Sequence, residues 1–551
     1  MVSQAKVSKK PVARDRGWKI PPKPWRFLLI TVLIIGIFFR FTNLEQKVYW
    51  YDEVSTSLTV VGYTEAEIVQ SLNETIPVEP KVIQKYQHFN PQKSVVDTVN
   101  RLVQENPHHP PLYYLIARFW SKIFGTSILA MRSLAAIISL LVLPCIYWLC
   151  LELFESSITG WVAIALIAIS PLHLVYAQEA RQYSLWIGII LLSSAALLRA
   201  VRVKTAISWG FYGITVALGL YTQLFFGFVA LGHGIYLVAN EGFRLSKTVK
   251  SYLIAFLASL IVFSPWIVIL VNQYSQANRL TEWAVIYDQT NEELVKIWIH
   301  NLSLAFFDIG QAEYSDKFLI IYVLVVSLVG SAIFFLGRNT PRRIWLFILT
   351  LMGASALPLV LPDLLLSGQR TITPRYLIPT YLGIQLAVAY FISNKLNAIS
   401  IRSWQQKFWQ LVTIVLISLG IVSSVIYSQS EIWWNKFLNA ENISVSHIIN
   451  QTTKPVLVSN IQTNFIISLS YMLEPNVRVL IAPQCGNCTL NLQEKDRLSI
   501  PTIPEGFSDV FLFKAYPPDS WKNELETQQN YKAELLFEGD VLWLWRLEKI
   551  A

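Results

Sequence analysis

Charge is scarce in this chain. Only 15% of its 551 residues are Asp, Glu, Lys or Arg, against about 25% in a soluble protein. Hydrophobic residues make up 53% and the mean hydropathy is +0.43, the balance of an integral membrane protein. Other absences narrow the reading. No Gly-rich phosphate loop is visible, so a soluble nucleotide-sugar site is not expected. There is no internal repeat and no low-complexity segment. Charges are nearly missing inside the apolar runs, which weighs against a transporter or flippase with ionisable groups at the midplane. The first apolar run is long and no small-residue cleavage site follows it, so it reads as an anchor, not a removable signal. Cysteines number four. Cys145 and Cys150 fall in an apolar run, where packing is expected; Cys485 and Cys488 form a C-x-x-C in a polar tail, where a disulfide is favoured over zinc or redox chemistry. The net charge of +9 lies between apolar runs and not in one patch, so topology explains it and nucleic acid is not a partner.

Residues 1–26 carry eight Lys/Arg against one Asp, which marks a basic cytoplasmic tail. Spans are expected at 27–44, 130–150, 159–176, 182–199, 207–222, 224–240, 251–272, 318–337, 344–361, 376–393 and 409–428, eleven in all. Residues 112–124 are too few to span, since a crossing helix needs about 17–25. With Arg118 and Lys122 on one face, they suit a helix lying in the interface. That parity puts the basic loops around Arg202, Lys247, Arg342 and Arg402 in the cytoplasm. The loops 45–129 and 273–317, and the tail, then lie outside. The tail, 430–551, has soluble composition: Val456–Ser459, Val477–Ile481 and Val510–Phe513 read as buried strands, and Gly539-Asp540 as a hairpin turn. The expected fold is therefore a polytopic α-helical membrane domain over 27–429 and a small extracytoplasmic α/β domain over 430–551. The tail is expected to serve acceptor selection and to be separable from donor binding.

Four constellations fall on the outer side. Asp52-Glu53 follows the first span, framed by Tyr49, Trp50 and Tyr51; both are read as catalytic, Asp52 as the general base. His108-His109-Pro110-Pro111 leads into Tyr113, and the prolines fix the entry into the interfacial helix. A histidine there has the chemistry to meet a phosphate, ligate a metal or carry a proton. The turn Gln178-Glu179-Ala180-Arg181, followed by Tyr183, offers either a structural Glu–Arg pair or groups that orient an acceptor. Arg370 and Arg375-Tyr376 stand at the outer mouth of the tenth span, where a planar guanidinium suits phosphate oxygens; Arg279 and Lys296 are weaker candidates of the same kind. Asp52, His109 and Glu179 also have the donor atoms for a divalent metal ion, although no ligand-spaced pair demands one. A membrane-anchored binding protein is the remaining alternative.

Taken in order and on one side of the membrane, the acidic pair, the His-Pro-Pro-Leu-Tyr-Tyr element, the Ser-Pro…Gln-Glu-Ala-Arg-x-Tyr element and the late Pro-Arg-Tyr resemble a family. It is that of the polytopic GT-C glycosyltransferases related to protein O-mannosyltransferases and lipid A aminoarabinose transferases. The resemblance covers about residues 25–395. It implies transfer of one sugar from a polyprenyl-phosphate carrier to an acceptor hydroxyl on a protein, glycolipid or glycan, outside the plasma (inner) membrane. It further implies Asp52 as the base, with His108 and His109 near the donor phosphate. Where the aminoarabinose branch has a Glu-Lys pair before the prolines, this chain has His108-His109.

Overall fold

The computed structural model describes residues 17–21, 23–72, 76–286, 289–397, 403–482, 502–515 and 520–550. The Cys485–Cys488 pair lies outside them. Each of the eleven apolar segments is helical. Among the described residues, seven helices are long and apolar enough to cross a membrane: Ile128–Phe154, Tyr183–Val203, Lys247–Asn272, Asp316–Asn339, Arg342–Leu366, Pro374–Asn397 and Trp404–Asn439. An eighth crossing is the pair Ser157–Ala168 and Pro171–Ala177, if the two are counted as one. Ala206–Thr222 and Phe226–Asn240 have 17 and 15 residues, short of the ~20 that a full crossing takes. Lys247–Asn272 turns Ile254, Ile261 and Val271 outward, as a lipid-facing helix must, whereas Ile378–Asn397 is buried along most of its length.

The pair that reads as one span, 159–176, is bent by 64°. Pro171 stands at the start of the second piece, where its missing N–H costs nothing. In lipid the carbonyls freed by such a break need partners, and Arg40 supplies them. Its guanidinium donates to Ala168 O at 2.6 Å, Ile167 O at 3.1 Å and Gly36 O at 2.7 Å. Gln385 closes the other side, donating to Ser170 Oγ and Ala305 O, while its own oxygen meets His173 Nε2 at 2.7 Å. The bend thus presents the 178–182 turn to the end of the bundle where the first outer helix begins.

That outer helix is Tyr51–Val61, ended by Gly62 at φ +87, a left-handed conformation that glycine adopts at little cost. Leu112–Phe124 packs beside it. Its Phe119, Ile123 and Phe124 are exposed and form an apolar face suited to an interface. Arg118, however, does not snorkel: it is buried and donates to Val60 O and Thr98 Oγ1. Cys145 and Cys150 are unbonded in the interior of Ile128–Phe154.

The tail forms one five-stranded sheet, of β1 (Pro455–Ser459), β2 (Arg478–Ile481), β3 (Asp509–Ala515), β4 (Tyr531–Glu538) and β5 (Leu542–Lys549), in the order β2-β1-β3-β5-β4. β1 runs parallel to β2 and β3, while β3/β5 and β5/β4 are antiparallel. β1 is buried throughout, the signature of a central parallel strand covered on both faces. The domain shares a core with the membrane part. Val54, Leu58 and Ile83 from the first outer loop pack in one cluster with Val445, Leu457 and Phe465, and Val78 bridges Val479 on β2.

Candidate active site

The two acids of the Asp52-Glu53 pair point into different worlds, because successive helical positions lie about 100° apart. The Asp52 side chain is 20% exposed, and its Oδ2 meets Arg375 Nη1 at 3.0 Å and Arg181 Nη2 at 3.9 Å. Glu53 is fully buried. Arg132 grips it through Nε at 2.8 Å and Nη2 at 2.6 Å; Lys436 Nζ adds 2.7 Å and the Ala180 N–H 2.9 Å. Burial alone pushes the Glu53 carboxyl up, but Arg132, Lys436 and the Ala180 N–H outweigh it and hold it at about 2. A carboxylate so committed cannot take a proton from a substrate. Glu53 is an anchor, which corrects its place among the catalytic residues.

Arg181 is the hub of the site. Besides Asp52, its guanidinium donates to Thr56 Oγ1 at 3.1 Å, Tyr114 OH at 3.3 Å and the Asp52 carbonyl at 3.4 Å. Its Nη2 also faces His109 Nε2 at 3.1 Å. An arginine only donates, so that nitrogen accepts and the His109 proton sits on Nδ1. Nδ1 in turn faces the Gln182 amide at 3.3 Å, whose oxygen must therefore be turned toward it. Burial and then the charges of Arg181 and Arg375 push His108 down to about 4. Burial, His108 and the same two arginines push His109 well below its ordinary range. Both imidazoles are neutral at pH 7. The permanent positive charge of the group is supplied by Arg181 and Arg375.

Glu179 does not pair with Arg181. Its Oε2 accepts from Asn435 Nδ2 at 2.8 Å, its Oε1 has no partner, and burial raises its carboxyl to about 7 against the pull of Lys436. Gln178 turns away, donating to Phe39 O and Thr42 O at the end of the first span. Arg370 is also spent elsewhere, on Asp363 at 2.9 Å. That buried aspartate accepts as well from the Thr371 N–H and Oγ1, and so folds the loop that delivers Arg375. Arg375 lies over the rings of Tyr183 and Tyr376, and Tyr183 also faces Arg181. The aromatics of the motifs thus wall the two guanidiniums. Tyr113 is buried edge-on to Tyr114, with its hydroxyl unpartnered. Arg279 bonds Gln276 and Lys296 pairs with Glu292, both outside this group.

Asp52, His109 and Glu179 do not fit a divalent ion. Each already faces a donor, two of them guanidinium groups, and among the described residues no three His, Cys, Asp or Glu converge. Arg132, Asn435, Lys436 and Asp363 went unforeseen. Arg132 carried a signal, a charge inside an apolar run; Asn435 and Lys436 carried none.

The fold has counterparts among solved structures. ArnT from Cupriavidus metallidurans bound to undecaprenyl phosphate aligns over 95% of this chain and 98% of its own, with 12% identity and a TM-score of 0.50. This chain has the GT-C fold. The oligosaccharyltransferase AglB from Archaeoglobus fulgidus, in complex with an inhibitory peptide and a dolichol-phosphate, aligns over 82% of this chain and 65% of its own, with 13% identity and a TM-score of 0.47. Residues 108–269 match the family described as dolichyl-phosphate-mannose-protein mannosyltransferase. No curated protein matches. The stretch matched by the family begins at His108 and contains Arg181, and leaves Asp52 and Arg375 outside it.

Proposed function

We propose that this protein is a membrane glycosyltransferase that moves one sugar from a polyprenyl-phosphate carrier to an acceptor hydroxyl, with inversion at the anomeric carbon. The observation that carries this reading is the partly exposed Asp52 carboxylate between the guanidiniums of Arg375 and Arg181, at one end of an apolar bundle. The mannosyltransferase family match over 108–269 supports it, as does the undecaprenyl phosphate held by ArnT. The acceptor oxygen attacks the anomeric carbon, the bond from that carbon to the phosphate oxygen breaks, and the hydroxyl proton passes to Asp52. The departing lipid phosphate keeps the electron pair, and its charge falls to Arg375 and Arg181. A phosphate leaving group needs no second acid of the glycosidase type.

In the absence of donor the same arginines hold Asp52. The donor's phosphodiester spreads one negative charge over two free oxygens and suits a bidentate guanidinium, so donor binding draws Arg375 from the carboxylate and leaves it free to accept a proton. The reading carries with it a cytoplasmic basic segment at 1–26, a catalytic domain at 27–429, and a sheet domain at 430–551 outside a plasma (inner) membrane. The test is to incubate purified protein with undecaprenyl phosphate bearing radiolabelled mannose, glucose, galactose or 4-amino-4-deoxyarabinose, beside Asp52→Asn. The wild type is expected to release sugar from one of them and the variant to fall by at least ~100-fold. Equal release would remove Asp52 as the base, and no release from any would favour a carrier or an anchored binding protein.

A further inference from the structure

Four consecutive residues at the entrance to the sheet domain each end on a buried acid of the helical bundle. The indoles of Trp433 and Trp434 donate to Asp308 Oδ2 at 2.9 and 2.7 Å. Asn435 Nδ2 donates to Glu179 Oε2 at 2.8 Å, and Lys436 Nζ to Glu53 Oε2 at 2.7 Å. Three residues on, Asn439 Oδ1 accepts the Tyr51 N–H at 2.7 Å. The helix Tyr51–Val61 has Trp50 before its first turn and no capping bond from it. A side chain 388 positions away thus takes one of the free N–H groups that a helix start leaves.

We infer that the strap 433–439 belongs to the catalytic machinery as a set of positioning residues, which fixes Asp52 relative to Arg181. This rests on the glycosyl-transfer reading. Asp52 lies between two residues held by the strap: Tyr51 through Asn439, and Glu53 through Lys436. The turn that bears Arg181 is held from the same side, at Glu179 by Asn435, and Glu53 also accepts the Ala180 N–H. The strap is itself clamped. Asp308 receives both indoles and the Gly310 N–H at 2.8 Å. A Cβ on Gly310, which sits at φ +84, would lie 2.8 Å from the Trp433 ring. Lys436 and Asn439 are buried to 1% and 0% exposure, so neither serves solvent or a soluble partner. Trp433, Trp434, Asn435, Lys436 and Asn439 spend these hydrogen bonds on protein groups. Their effect on the reaction is geometric, and a displacement of about 1 Å at such a site is worth about 100-fold in rate.

The sheet domain therefore does not read as a detachable module for acceptor choice, because its first turn is built into the floor of the site. The experiment uses the full chain in lipid nanodiscs, with Asn439→Ala, Lys436→Met, Lys436→Arg and Asp52→Asn. Three quantities are read: melting temperature, affinity for undecaprenyl phosphate, and turnover per folded molecule of the carrier-linked sugar that the wild type uses. Asn439→Ala is the milder change and folds even where Lys436→Met does not. Both are expected to lose at least about tenfold in turnover while undecaprenyl phosphate affinity stays within about twofold, the mark of a misplaced base and not a lost substrate contact. Lys436→Arg is expected to recover most of the loss. Full turnover by Asn439→Ala and Lys436→Met beside an inactive Asp52→Asn overturns the positioning role alone. A fall in turnover that only mirrors the loss of folded protein also overturns it. Full turnover by Asp52→Asn overturns the base assignment instead, and a wild type that uses none of the four sugars removes both.

Discussion

Adjacent acids in this chain differ in everything but sequence. Asp52 is 20% exposed between the guanidiniums of Arg375 and Arg181, whereas Glu53 is 0% exposed and closed in by Arg132, Lys436 and a backbone N–H. Removing one partner of a buried ion pair strands the other charges and costs roughly 3–5 kcal/mol, while a partly exposed pair contributes about 1 kcal/mol or less. Glu53→Gln should therefore lower the melting temperature sharply and Asp52→Asn hardly at all, which thermal unfolding in detergent checks. Glu179 makes a further prediction. With its folded-state carboxyl at about 7 against an ordinary 4.5, the native state binds the proton more tightly than the unfolded chain. The stability this gives is full below about pH 4.5 and is lost as pH rises to about 7. Glu179→Gln should match the wild type in acid and exceed it at pH 8, by on the order of 3 kcal/mol. The sequence made Asp52, Arg181 and Arg375 visible because charged residues just beyond apolar runs are few. It named Asp52 as the base but left Glu53 beside it as catalytic, since helical phase separates the two and depends on which face the bundle covers.

At the scale of elements, apolar runs were enough to find the helices of the bundle, and short apolar runs in the tail were enough to find β1, β2 and β3 and the β4–β5 hairpin. The 64° break at Ile169–Ser170 was not legible, because Pro171 at the start of a helix and Pro inside one look alike in sequence. What distinguishes them is Arg40, which takes up the freed carbonyls from another helix. The loop 367–375 shows the same limit. Arg370 and Arg375 lie five apart with similar surroundings in sequence, yet Asp363 claims the first and so aims the second. Asp363→Asn weakens three of its acceptor bonds to Arg370 and Thr371. It is expected to reduce undecaprenyl phosphate affinity by about tenfold, the effect of ~1.4 kcal/mol in positioning Arg375, measured by equilibrium binding. Unchanged affinity would mean that the loop holds its shape without the aspartate.

On the scale of the whole molecule, the expected two-part architecture is present, but the parts share a core and a strap. Val54, Leu58, Leu457 and Phe465 belong to one cluster, and residues 433–439 enter the bundle. No composition statistic separates a domain that sits on its neighbour from one that is threaded into it, so this coupling could be seen only in three dimensions. In the proposed reading, the membrane part and the sheet present a single floor on which a carboxylate and a lipid phosphate compete for the same two arginines. That competition is the centre of the account, and equilibrium binding of undecaprenyl phosphate to the wild type, Arg375→Gln and Asp52→Asn tests it most directly. Arg375→Gln should bind at least about tenfold more weakly, the loss of one charge-assisted pair, while Asp52→Asn should bind as well as the wild type or more tightly. Undiminished binding by Arg375→Gln, or a loss in Asp52→Asn as large as in Arg375→Gln, would contradict it.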